Sequence, residues 1–152
     1  MMSAEKENED ARIFKRIAEL RAGGVEPEVI NLTEVDKEHV NLFAKANDYT
    51  AYLSVHGFVE GSTFVVDVDK YWTGFDNGRS EGNIHLGASS GPNSFERELT
   101  TRAIQDGKEH SLPFRGRINI GPGLRSATVV FVFEFDQFGG DPKGTGFYEF
   151  RW

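Results

Sequence analysis

The chain has 152 residues, of which 38% are hydrophobic, and a formal net charge of −7. This length and apolar content predict a single folded domain over 1–152 and exclude a largely disordered chain. The acidic balance disfavours nucleic acid as a partner, and the absence of cysteine excludes disulfides, thiol catalysis and cysteine zinc sites.

The two parts of the chain differ in composition, because 15 of the 17 glycines and 11 of the 13 phenylalanines follow residue 56. Short apolar runs of period two, separated by glycine turns, are typical of antiparallel β structure. We therefore expect residues 1–48 to form a helical N-terminal segment that packs on the sheet. Residues 49–152 are expected to form an antiparallel β core.

A first amphipathic helix is predicted over residues 5–21, with glycines at 23 and 24 as the stop signal. One apolar stripe runs along it at helical spacing, formed by Ile13, Phe14, Ile17 and Leu20. This stripe packs on the sheet of its own chain or, as the alternative, on a partner.

A second, shorter helix is predicted over residues 34–46. Thr33 followed by Asp36 resembles a capping box at its start. His39 would then be a partly buried residue at the edge of this helix rather than a ligand.

The first β-hairpin is predicted from residues 50–59 and 62–70, joined by a tight turn at 60–61. In this register Val55 faces Val66, and the hairpin has one apolar face. The other face is mixed and carries Tyr52, Ser54, His56, Asp67, Asp69 and Tyr71.

A second hairpin is predicted from residues 94–105 and 108–120, because Asp106-Gly107 is a favoured two-residue turn. The register sets opposite charges across from each other, as the pairs Glu98–Arg115 and Glu96–Arg117. This arrangement gives these charged residues a structural role rather than a catalytic one.

A strand near 82–88 and a last hairpin, 126–137 with 144–152, complete the predicted sheet. The strand at 126–137 is apolar on both faces, so its second face needs a cover, which the N-terminal helices could supply. Together these elements predict a mainly β fold: an antiparallel β-sandwich or barrel of about seven to eight strands with appended N-terminal helices.

The stretch at 67–78, DVDKYWTGFDNG, is the most unusual segment in the chain. It does not match an EF-hand loop, yet three aspartates within reach of one another leave calcium open as a ligand. A second acidic turn at 135–144, with Asp136 and Asp141, could join it at one end of the sandwich. Otherwise the stretch is the polar face of a strand followed by turn residues. That interpretation gives no role to Tyr71 and Trp72.

Two other functions compete with simple binding. A hydrolase or isomerase could use His56 with Asp67, although the two-residue spacing of Ser54 and His56 on a strand resists a catalytic triad and no nucleophile elbow is present. A membrane-acting, toxin-like protein could insert aromatic loops and detach its N-terminal helix.

We predict a non-enzymatic binding module for a small polar molecule, a glycan or a protein partner, with no catalytic residues and no cofactor apart from calcium as an open alternative. Aromatic rings beside carboxylates and amides can stack on a sugar and hydrogen-bond its hydroxyls. The candidate ligand-binding residues are Tyr52, His56, Asp67, Asp69, Tyr71, Trp72, Asp76 and Asn77. A homodimer also stays open.

The sequence shows neither a signal-peptide pattern nor a run of about 20 apolar residues, so no transmembrane segment is expected. The predicted location is the cytoplasm, or outside the cell after export without a classical signal peptide. The lack of cysteine fits both locations.

Overall fold

The computed structural model describes residues 4–32 and 38–152, with side chains described from Arg12 and from His39 onward in these two ranges. Within them, one helix, α1 (Ala4–Ala22), precedes nine strands. The strands are β1 (Glu28–Asn31), β2 (Glu38–Ala46), β3 (Tyr49–Glu60), β4 (Thr63–Thr73), β5 (Gly82–Ser90), β6 (Asn93–Ala103), β7 (His110–Asn119), β8 (Ser126–Glu134) and β9 (Lys143–Arg151).

The strands form two sheets, one of five strands in the order β1-β9-β8-β5-β6 and one of four in the order β2-β3-β4-β7. The predicted β-sandwich is thus confirmed, and the barrel alternative is not. Every strand pair is antiparallel except β1 with β9, which run parallel. In the described part of the chain, no helix is long and apolar enough to cross a membrane.

The core lies between the inner faces of the two sheets and is rich in phenylalanine. Five of these rings are fully buried: Phe64, Phe131, Phe133, Phe135 and Phe150. Burying such a side chain stabilises the fold by about 1.5–3 kcal/mol. Gly57 leaves room for one of the rings, since a Cβ there would lie 2.5 Å from Phe150 Cε2.

Helix α1 packs on the outer face of the five-stranded sheet, as its apolar stripe predicts. Ile13 is fully buried against Val130, Val132 and Phe147, with Ile17 and Leu20 beside them. The prediction that strand β8 is apolar on both faces and covered by the N-terminal helix is confirmed. The exception in the stripe is Phe14, which is 40% exposed.

The second predicted helix is wrong, because residues 38–46 form strand β2; residues 34–37 and the capping residues Thr33 and Asp36 lie outside the described ranges. The apolar residues Leu42, Ala44 and Ala46 follow period two and face the core. Their neighbours His39 and Phe43 face outward, which a helical interpretation of the same residues cannot reveal.

The first hairpin is confirmed with a register two residues from the predicted one. Glu60 pairs with Thr63, and Gly61 adopts φ +63° in the turn. A shift of two residues leaves the side chains up to Val68 on their predicted faces. The register changes again at Asp69, an extra residue in β4 that forms a β-bulge against β3. Against β7 the irregularity is the reverse, because Leu112 and Pro113 together stand opposite the single residue Asp69.

The second predicted hairpin is wrong, because β6 and β7 belong to different sheets. Asp106-Gly107 lies in the connection that crosses between the sheets. β6 pairs instead with β5, and β7 pairs with β4. The charged side chains find other partners, namely Arg115 with Asp67, Arg117 with Glu60 and Glu96 with Arg16. The last hairpin, β8 with β9, is confirmed.

Candidate binding face

The described helix α1 packs on β5 and β6, so it covers the outer face of the five-stranded sheet. It does not cover the outer face of the four-stranded sheet. We call this outer surface of β2, β3, β4 and β7 the open face. It carries four of the predicted ligand-binding side chains, Tyr52, His56, Asp67 and Trp72.

Three aromatic side chains form a row across the open face, one from each of three adjacent strands. Phe43 on β2 pairs with Tyr52 on β3, which pairs with Trp72 on β4. The rings of Phe43 and Tyr52 lie 5.2 Å apart and tilted, and those of Tyr52 and Trp72 lie 5.1 Å apart at 13°. We call these three residues the aromatic row. Phe43 is 37% exposed, and the other two are half-buried.

The bulge at Asp69 decides which ring joins this row. Without a bulge, strict alternation from Asp67 through Asp69 would turn Tyr71 outward and Trp72 inward. The observed bulge does the reverse, so Trp72 lies on the open face and Asp69 is exposed at the irregularity.

The prediction that Tyr71 shares the mixed face is therefore wrong. Its ring is buried in the core and stacks on His110 at 5.4 Å. Its hydroxyl accepts a hydrogen bond of 2.6 Å from the Ile104 N–H, and burial raises the pKa of the phenol.

The far end of the aromatic row is held by the other sheet. The Phe43 N–H donates a hydrogen bond of 2.7 Å to the hydroxyl of Tyr148 on β9. Gly146 allows the two strands to approach, because a Cβ there would lie 2.3 Å from the Phe43 carbonyl oxygen. The position of Phe43 is thus set by contacts between the sheets rather than by its own strand alone.

A second, polar row crosses the same face through His39, His56, Asp67 and Arg115, which are successive register partners. The two histidine rings lie 4.9 Å apart. Arg115 Nη2 donates to Asp67 Oδ2 at 2.8 Å, and this hydrogen bond raises the pKa of the guanidinium. The Arg115 side chain also lies over the ring of Phe58, with its Cζ 5.8 Å from the ring centre.

Other charges at the border of the open face are also paired. Lys70 Nζ donates to Glu109 Oε2 at 2.8 Å, and this hydrogen bond raises the pKa of the lysine. Arg117 Nη1 lies 3.6 Å from Glu60 Oε1. These border charges are therefore paired with opposite charges, in a chain whose net charge is −7.

The arrangement around His56 offers little to an acid–base mechanism. His56 lies directly opposite Asp67, but that carboxylate is engaged by Arg115. Ser54 shares a hydrogen bond of 2.7 Å with His39 Nε2 and is only 1% exposed, so a substrate has no direct approach to its hydroxyl. A hydrolase or isomerase using His56 with Asp67 stays a hypothesis that no observed geometry favours.

The turn containing Asp76 and Asn77 has a structural role. Asn77 Nδ2 donates to the Asp136 carbonyl at 3.0 Å, so the two acidic turns do meet at one end of the sandwich, as the sequence suggested. The Asp76 carboxylate accepts the Gly78 N–H at 3.0 Å. Both predicted ligand residues thus make structural hydrogen bonds, Asp76 within its own turn and Asn77 to the second acidic turn.

A buried amide that sequence reasoning missed ties these turns together. Gln105 is fully buried; its Nε2 donates to Asn77 Oδ1 and to the Asp136 carbonyl, and its Oε1 accepts the Asp136 N–H at 2.7 Å. The Asp136 carboxylate is bound by Arg79 Nε at 2.8 Å and the Glu81 N–H at 3.1 Å. Within residues 4–32 and 38–152, no group of three or more His, Asp or Glu is placed to hold a metal ion.

No protein-family model matches this chain, and no similar curated protein was found. The functional interpretation therefore depends on the geometry of the open face.

Proposed function

We propose that this chain is a non-enzymatic binding module that recognises another protein through the open face. The aromatic row carries the proposal: Phe43, Tyr52 and Trp72 stand side by side on a sheet surface that α1 does not cover. Contiguous apolar side chains on a surface, unlike isolated ones, are typical of interaction sites.

The composition of the face resembles the centre of a protein interface. Tyrosine, tryptophan and phenylalanine are enriched in such centres, and tyrosine and tryptophan supply a large share of hot-spot energy. Paired charges at the border, such as Lys70 with Glu109, form the kind of polar rim that excludes water from a central apolar contact. Their balanced signs also avoid the repulsion that a chain of charge −7 would otherwise impose on an acidic partner.

Two ring contacts favour a protein over the other predicted ligands. The nearly parallel rings of Tyr52 and Trp72 cover each other, which leaves less ring face for stacking on a sugar. Small molecules prefer concave sites, whereas the three rings stand on adjacent strands along one face of a sheet. A glycan therefore remains an outcome of the test rather than the expectation.

The test is to probe immobilised protein and glycan arrays with wild type, Phe43→Ala and Trp72→Ala. Leu124→Ala is the matched control, because Leu124 is 41% exposed and lies in the loop between β7 and β8, away from the open face. Protein hits that both open-face variants lose at least tenfold, and the control keeps, support the proposal.

Circular dichroism and thermal unfolding must show that each variant is folded. Hits confined to glycans assign the face to carbohydrate instead. Hits that both open-face variants retain, or the absence of any hit on either array, remove the open face as a recognition surface.

A further inference from the structure

The loop between β8 and β9 carries the most exposed aromatic side chain described. Phe138 is 95% exposed, whereas the other exposed large hydrophobic residues lie between 37% and 44%. The base of this loop is firmly held, because Gln105 binds both the N–H and the carbonyl of Asp136. Within the loop, the Asp141 carboxylate accepts the Gln137 N–H at 3.2 Å. The ring is thus presented to solvent from a fixed base.

The same molecule has a cavity suited to such a ring. A cavity of about 210 Å³ lies between the C-terminal half of α1 and β9. It is lined by Arg16, Glu19, Leu20, Val25 and Thr145. An apolar cavity of roughly 150 Å³ accepts benzene, so this one is large enough for a phenyl ring. Leu20 and Val25 supply apolar walls, and Arg16 supplies a cation that can lie over an aromatic face.

Charge favours bringing the loop and this cavity together. Residues 12–22 of α1 hold four basic side chains and one acidic one, although the chain as a whole is acidic. Residues 134–142 hold three acidic side chains and no basic one. Some of these are already paired, Arg16 with Glu96, Asp136 with Arg79 and Glu134 with Lys143. Arg12 and Lys15 beside the cavity, and Asp141 in the loop, carry the remaining attraction.

We infer that Phe138 docks into this cavity on a second copy of the same chain. Every copy carries both the ring and the cavity, so a two-fold dimer would make the contact twice. The cavity lies beside α1 and Phe138 lies in the loop between β8 and β9, so the contact does not use the open face. It is therefore independent of the proposed function.

The experiment is sedimentation velocity of the full chain from 1 to 200 µM. Wild type is expected to dimerise, and Phe138→Ala to weaken the dimer at least tenfold, as for an interface hot spot. Thr145→Trp should fill the cavity from an exposed position and weaken the dimer comparably. Leu124→Ala is again the control and should leave the dimer unchanged.

Mixing the two damaged variants sharpens the test. Phe138→Ala keeps an intact cavity and Thr145→Trp keeps an intact ring, so an equimolar mixture should associate more strongly than either variant alone. A monomeric wild type at 200 µM overturns the inference, and so does a dimer that survives Phe138→Ala. A dimer that depends on Trp72 instead would place self-association on the open face and would equally overturn it.

Discussion

The outer faces of the two sheets are completed in different ways. The five-stranded sheet turns Val130, Val132 and Phe147 outward, and α1 covers them with Ile13. The four-stranded sheet turns outward an aromatic row and a row of histidines and ion pairs. One surface is apolar enough to need a cover from its own chain, and the other mixes rings with charges.

This difference separates a surface that stabilises the fold, under α1, from a surface that is available for recognition, the open face. Aliphatic side chains under α1 remain buried in every folded molecule and contribute about 1.5–3 kcal/mol each when fully buried. Rings on the open face gain only part of that stabilisation, because they remain partly exposed. We call the outer surface of the five-stranded sheet under α1 the covered face. Substitutions on the covered face should therefore mainly affect folding, and those on the open face should mainly affect binding.

The largest expected effect is that of Ile13→Ala. This side chain of α1 is fully buried against the five-stranded sheet, so its truncation should lower the free energy of unfolding by about 2–5 kcal/mol. Urea unfolding followed by circular dichroism measures the loss. A change below about 1 kcal/mol would contradict the view that α1 is an integral part of the fold.

The alternation of β8 was the most informative pattern for the fold. Its two apolar faces correctly predicted both a core and a covering helix, because burial on both sides leaves no freedom for polar residues. The segment 38–46 was misassigned because its apolar residues satisfy helical and strand spacing alike over one short element. The pairing of β6 could not be predicted, since the charges on β6 and β7 fit each other as well as they fit their true partners.

The candidate site was predictable only in part. Tyr52, His56 and Asp67 were placed on one face because period two is robust to a register shift of two. The burial of Tyr71 and the pairing of Trp72 with Tyr52 were not predicted, because the β-bulge at Asp69 has no clear sequence signal. Phe43 was not predicted as part of the site, because a helix was predicted over residues 34–46. The role of Gln105 depends on two turns meeting far apart in sequence.

A second way to test the covered face is Gly87→Ala. A Cβ at this position would lie 2.6 Å from Ile13 Cδ1, so the helix must shift or the side chain must move. We expect a loss of about 1–3 kcal/mol in the free energy of unfolding. Because the clash is with Ile13, the same substitution in an Ile13→Ala background should cost clearly less. Equal costs in the two backgrounds would mean that the glycine serves another purpose.

The pH dependence of the covered face should follow His85, which lies beside Gly87 on β5. Burial lowers the pKa of this imidazole, and the nearby Arg16 adds to the lowering, whereas Glu98, Glu96 and Glu134 oppose it. The unfolded chain therefore binds a proton more readily than the folded one, so stability should fall as the pH drops below about 6.5.

This pH effect can be measured by thermal unfolding of wild type and His85→Gln between pH 5 and 8. The variant should show a smaller loss of stability over the acidic part of that range. Glu98→Gln should deepen the loss, because it removes a carboxylate 3.5 Å from His85 Nε2 that favours the charged ring. Identical profiles for wild type and His85→Gln would show that His85 does not contribute to the pH dependence of stability.

The smallest effect on stability is expected from Phe43→Ala on the open face. The ring is 37% exposed and contacts Tyr52 at its edge of the row, so its loss should change the free energy of unfolding by about 1 kcal/mol or less. The backbone N–H that binds Tyr148 remains in the variant, so strand β2 keeps its position. Urea unfolding beside the Ile13→Ala variant gives the direct contrast between the two faces. A loss comparable to that of Ile13→Ala would show that the aromatic row serves stability. The row would then no longer support the proposed binding function.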